Sequence, residues 1–195
     1  MTENGMLGNI PLSEIQGPRN DFEQRLAGID GEIWLTAFKR FLRKENPWDD
    51  LNLVRVDRTV SANYPDWMAG LEHPELESIG PAEFDAGKLR LLLHCRQQTN
   101  CGVVGNLIYE YLRDGDMIKD CLSLRDLEEI QKKGITFFRK HFKGKFVPGW
   151  KSVVRMNNNR LGVPYLYEDG NQVCLGWNWL ANRWNARSPA FLIVS

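Results

Sequence analysis

One cluster in the chain could join a nucleophile to a base: His94-Cys95, with Cys101 six residues further on. A thiolate beside an imidazole would support acyl transfer. KLRLLLHC reads as a strand, however, with Leu89, Leu91, Leu93 and Cys95 on its core face. Adjacent strand residues point to opposite faces, so His94 and Cys95 do not meet directly. Cys101 stands just before an expected helix, whose dipole would lower its pKa. A capping or core thiol is the plainer reading of that position. The four cysteines (Cys95, Cys101, Cys121, Cys174) offer no C-x2-C pair, and no H-x3-H accompanies them, so no metal and no cofactor is expected. The carboxylates of residues 45–85, among them Asp49, Asp50, Asp57, Asp66 and Glu72, are abundant, but no spacing singles out an acid–base pair. Neither a P-loop, G-x-G-x-x-G, G-x-S-x-G nor H-E-x-x-H occurs, and no catalytic residue is assigned.

Charge carries more information. The net charge is zero, yet residues 1–129 hold 14 Lys/Arg against 23 Asp/Glu, and residues 130–195 hold 11 against two. Nine bases and no acid lie between Ile130 and Tyr167, while residues 45–85 hold ten acids and only Arg55 and Arg58 as bases. FFRKHFKGKF, residues 137–146, interleaves aromatics with bases. Such a run suits phosphates held by Lys/Arg and bases stacked on rings. The anion-binding candidates are Arg139, Lys140, Lys143, Lys145, Lys151, Arg155, Arg160, Arg183, Trp184 and Arg187. A solvated face is the bland account of any charge run. The acidic segment lying over the basic sheet of the same molecule, or of another copy, is a further one.

Tryptophans concentrate in LGWNWLANRW, residues 175–184. In QVCLGWNWL the period of two places Trp177 and Trp179 with Val173 and Leu175 on an inward face. Trp184 falls in an expected loop between Arg183 and Arg187, where burial and ligand contact are equally balanced.

The elements that must position these groups are legible by period. Ile33, Trp34, Ala37, Phe38, Phe41 and Leu42 form a helical stripe after a candidate N-cap, Asp30, and Asn46-Pro47 stops it. Val103 to Leu112 gives a second helix, and SLRDLEEIQKKG a third, opened by a Ser123/Asp126 capping box. In FFRKHF, Phe138 and Phe142 would face the core with Arg139, Lys140 and Lys143 outward. LVRVDRTV reads as a half-buried strand. From Phe146 onward WKSVVRM, LGVPYLY, QVCLGWNWL and AFLIV are strands, joined at first by NNN and EDGN turns. Pro164 fits an edge or a bulge. The expected class is α+β: three main helices packed on a mostly antiparallel sheet with a C-terminal four-strand meander. Residues 1–20 are expected as a flexible arm and 21–195 as one domain.

DGEIWLTAFKRFLRKENPW, with CLSLRDLEEIQKKG and VPYL…LGWNWL…RW after it, resembles a set of small bacterial proteins of unassigned function. The likeness implies a bacterial, intracellular setting and carries no activity or site residue. No apolar run reaches the roughly 18–20 residues of a membrane span, and the N-terminus has no signal-peptide pattern, so a cytoplasmic protein with no membrane contact is expected. The reading favoured is a non-enzymatic binding module whose basic face meets nucleic acid or an acidic protein. The rivals are an enzyme around Cys101, His94 and the acidic loop 45–85, and self-association into a homo-oligomer.

Overall fold

The computed structural model describes residues 6–7, 10–29, 31–43, 52–98 and 102–194. Asp30, Asp49, Asp50 and Cys101 lie outside the described residues, so the capping and nucleophile roles considered for Asp30 and Cys101 are not addressed. Two compact units emerge, Met1–Asp50 and Leu51–Ser195, where one domain after a short arm was expected. Among the described residues no helix is long and apolar enough to cross a membrane.

In the first unit β1 (Met6–Leu7) pairs antiparallel with β2 (Ile10–Pro11), and helices α1 (Leu12–Ala27) and α2 (Gly31–Leu42) follow. Helix α1 occupies much of the stretch expected to be a flexible arm. It lacks an apolar stripe and contains Gly17 and Pro18. The i,i+4 pairs Arg19–Glu23 (2.9 Å) and Arg25–Asp21 (3.0 Å) support it. It packs on α2 through Phe22 and Phe38, 4.5 Å between ring centroids, and through the Arg25 guanidinium over Trp34.

The second unit runs β3 (Leu53–Arg55), β4 (Met68–Leu71), β5 (Glu83–Asp85), β6 (Arg90–Leu92), β7 (Val103–Val104), α3 (Gly105–Asp114), α4 (Leu124–Lys132), α5 (Gly134–Phe142), β8 (Val147–Pro148), β9 (Val154–Met156), β10 (Leu161–Asp169), β11 (Gln172–Trp179), β12 (Arg183–Trp184) and β13 (Ala190–Leu192). The class is α+β, as the periodicity predicts. Strands β9, β10 and β11 form an antiparallel meander, extended by β4 beside β9 and by β8 beside β10. The Asn159 and Gly170 turns have φ of 61° and 56°, the left-handed region that Asn and Gly tolerate best.

The meander has three strands where four were expected. AFLIV leaves it as β13 and pairs with β6, while β12 pairs with β7. The first candidate strand also shortens, because Trp150–Ser152 form a 3-10 turn ahead of β9. Pro164 sits inside β10 rather than at an edge. It falls where the neighbouring strand changes from β9 to β8, and its carbonyl accepts Gly149 N–H at 2.8 Å. The alternation read for KLRLLLHC fails: β6 has three residues, Leu91 is 49% exposed, and His94 and Cys95 stand outside the strand.

Helix α4 opens on the expected capping box, with Ser123 Oγ and Asp126 each bonding the other's backbone N–H. Phe138 and Phe142 of α5 are buried as the FFRKHF pattern predicts. They join Leu127, Ile130, Leu166 and Val173 in one apolar cluster, so α4 and α5 cover one face of the meander. A second cluster gathers Ile108 and Leu112 of α3 with Trp150, Val163, Leu180 and Trp184.

Candidate functional site

The acidic and basic halves of the sequence meet within the second unit. β4, from the acidic segment, pairs with β9 of the basic one. Beside that ladder Arg155 binds Glu72 at 2.9 Å, Ser152 Oγ donates to Glu77 at 2.7 Å, and Lys151 Nζ donates to the Ile79 carbonyl at 2.9 Å. Arg58 Nη2 binds Asp126 at 2.6 Å, with side chains 12% and 0% exposed, and reaches the Pro81 carbonyl at 3.0 Å. Gly80, at φ +145°, leaves the space in which the Arg58 guanidinium lies. Arg125 is shared by Glu128 (2.9 Å) and Glu129 (2.6 Å). Glu128 also takes the backbone and side-chain N–H groups of Asn63, and Lys132 pairs with Glu129. Two hydrogen bonds from Thr59 hold the Asp57 carboxyl below its usual range. Burial, reinforced by Glu77, pushes the Tyr64 hydroxyl far up.

This pairing redistributes the ten anion-binding candidates. Trp184 is 2% exposed, its ring 5.2 Å from that of Trp150 and its Nε1 donating to the Trp179 carbonyl at 3.4 Å. A side chain at Gly105 would collide with that indole. Trp184 is therefore core and offers no stacking surface to a ligand. Lys151 is 1% exposed and is not part of a basic surface. Arg155 is held by Glu72, and Arg139 clasps the β10–β11 hairpin through Glu168 (2.7 Å) and the Gly170 carbonyl (2.9 Å). Lys140 reaches Asn52, and Arg183 donates to the Gly102 carbonyl. Lys143, Lys145 and Arg160 have no side-chain acceptor among the described residues, and Lys143 and Arg160 are exposed.

Arg187 leads to residues the sequence pattern did not single out. Its guanidinium lies 5.0 Å from the centre of the Phe146 ring while Nε donates to the Gly144 carbonyl. Phe146 meets Tyr165 edge-on at 5.6 Å, Tyr165 lies 5.4 Å from Tyr167, and all three are half-buried. Strand register explains the grouping. Tyr165 stands opposite Gly176, Leu166 opposite Leu175 and Tyr167 opposite Cys174, and cross-strand partners share a face. Leu166, Leu175 and Val173 point to α4 and α5. Tyr165 and Tyr167 consequently point away from these helices. Gly176 makes room for the Tyr165 ring, since a Cβ there would lie 3.1 Å from it. Burial and the neighbouring Tyr167 raise the Tyr165 hydroxyl above its ordinary value, so this phenol stays uncharged at neutral pH. The usable signal was the Y-x-Y alternation in β10 opposite a glycine in β11. Reading it requires knowing which face the helices cover.

Trp177 and Trp179 do share the face of Val173 and Leu175, as their spacing predicts, but they are half-buried beyond the helices. Trp67, 36% exposed, closes on them at 5.2 and 6.3 Å. His94 is oriented by its neighbours: Nδ1 accepts Arg96 N–H at 3.2 Å and the ring stands edge-on to Tyr111. Among the described residues no three His, Cys, Asp or Glu side chains converge as a metal site.

No family model, curated protein or solved structure matches the chain. The fold and site define an α+β protein whose meander is covered by two helices on one face. On the other it presents a cation-flanked aromatic cluster.

Proposed function

We propose that the second unit binds single-stranded nucleic acid on the Phe146–Tyr165–Tyr167 face. Bases would stack on the rings, and Arg187, Lys143 and Lys145 would hold the phosphates. One observation carries this reading: three adjoining, partly exposed rings on the sheet face opposite the helices, with an arginine already laid on one of them. Every base has a π-face, so such a platform accepts single strands with little regard to sequence, while paired bases in a duplex are hidden from it. A non-enzymatic module of this kind in a bacterial cytoplasm remains the favoured reading, on three of the nominated cations and with Phe146, Tyr165 and Tyr167 in place of Trp184.

Fluorescence anisotropy with labelled single-stranded and duplex oligonucleotides, titrated with salt, is the test. The single strand should bind more tightly, and its log Kd should rise linearly with log salt. Tyr167→Ala should weaken binding by about 1–3 kcal/mol, the usual worth of one stacked base. No binding at low salt, or equal affinity for duplex, would refute the proposal.

A further inference from the structure

The buried lysine sits at a second site that shares no residue with the aromatic face. Lys151 lines a pocket of about 560 Å³, within the range of small-molecule sites. The residue is 1% exposed, and among the described residues its ammonium finds one acceptor, the Ile79 carbonyl. Among the described residues no carboxylate comes within ion-pairing distance of it. Asp126, a buried acid whose charge is felt at Lys151, is already committed to Arg58 and Ser123. Burial accordingly pulls the Lys151 pKa below its ordinary value. An ammonium so placed is costly unless something anionic joins it.

The rest of the lining says what that anion carries. Phe84 and Ile193 bring apolar surface to the walls, as do Ile79 and Val194, whose side chains stay 49% and 60% exposed. At the rim Glu83 is held by Arg55 at 3.5 Å, and Lys119 is paired with Asp116. Asp120 remains as a negative wall group and would repel a dianion such as a phosphate monoester. We infer that this pocket binds a small monocarboxylate with an apolar body, its carboxylate on Lys151 and its hydrocarbon against Ile79, Phe84, Ile193 and Val194.

Isothermal titration with sodium octanoate, with octanamide as its neutral counterpart, tests this directly. Octanoate should bind saturably at one site, and octanamide at least about tenfold more weakly, the loss that follows from roughly 1.4 kcal/mol of charge pairing. Lys151→Met should remove the preference for the carboxylate. It should also leave the protein folded by circular dichroism, since replacing an uncompensated buried charge by a similar apolar side chain is neutral or stabilising. Should that variant fail to fold, Val194→Glu decides the matter from the exposed rim. A second negative charge there should weaken octanoate several-fold more than octanamide, which loses only the Val194 hydrocarbon contact. Equal affinity for acid and amide, a preference that survives Lys151→Met, or absence of saturable binding would overturn the inference. None of these outcomes bears on oligonucleotide affinity, so the two sites stand or fall separately.

Discussion

Asp126→Asn probes the tie between the 45–85 segment and helix α4 with the least change of shape. Asp126 is 0% exposed, and both of its oxygens are engaged: Oδ1 accepts Arg58 at 2.6 Å, Oδ2 accepts Ser123 N–H at 2.7 Å and Ser123 Oγ at 2.8 Å. An asparagine amide must place its NH2 toward one of these sides. Facing Arg58 it sets donor against donor beside a guanidinium that is only 12% exposed. Facing Ser123 it undoes the capping box of α4. Removing one partner of a buried ion pair costs about 3–5 kcal/mol, and a lost N-cap alone about 1 kcal/mol. Against a total stability of about 5–15 kcal/mol that is a large fraction, and at roughly 2–4 °C per kcal/mol the Tm should fall by about 6–20 °C. Urea unfolding followed by tryptophan fluorescence reads it, because Trp150 and Trp184 are buried in the same unit. Glu83→Gln is the control. It breaks the Arg55–Glu83 pair, whose side chains are 72% and 58% exposed, and should cost under about 1 kcal/mol. If Asp126→Asn costs no more than Glu83→Gln, the Arg58–Asp126 contact does not fasten the 45–85 segment to α4.

Gly80→Ala would place a Cβ 2.9 Å from the Arg58 guanidinium at a φ of +145°, and should destabilise by about 1–3 kcal/mol in the same urea experiment. Burial pushes the Cys121 thiol up to about 12, whereas the unfolded chain ionises near 9.0. The unfolded state therefore releases its proton first, and stability falls as pH rises from about 9 to 12. Cys121→Ala should flatten the fall in an alkaline unfolding series. Trp184→Phe should lower stability while leaving oligonucleotide affinity unchanged, since the ring is core. An affinity loss at constant fold would return Trp184 to the binding face.

Local chemistry made much of the second unit legible. The Ser123/Asp126 box, the Gly170 and Asn159 turns and the Phe138/Phe142 stripe each follow from a few neighbouring residues. What escaped depends on distant partners. AFLIV reads equally well as the fourth strand of the meander or as the mate of Arg90–Leu92, and only tertiary packing selects the latter. Helix α1 was hidden because Gly17 and Pro18 interrupt any pattern, and its support comes from ion pairs on a polar surface. The site behaves likewise. The basic run was plain in the sequence, but Arg155 is neutralised by a glutamate 83 positions away, and nothing local announces that.

Charge segregation along a chain is therefore ambiguous until each cation is assigned a partner. Here the acidic segment takes up the part of the basic run nearest the β4–β9 ladder, Arg155 through Glu72 and Lys151 through the Ile79 carbonyl. Carbonyl dipoles satisfy hydrogen bonds without cancelling a unit charge, so Arg58 needs Asp126 as well, and Lys151, which has no such acid, keeps an excess charge beside an open pocket. Farther along, the acids run out: Lys143 and Lys145 precede Phe146 in the chain, and among the described residues Arg187 meets a carbonyl and a ring. If the basic third existed only to pair with the acidic segment, this corner would carry matching carboxylates. It carries aromatic rings instead, a surface to which a phosphate chain with unpaired bases could supply both missing partners.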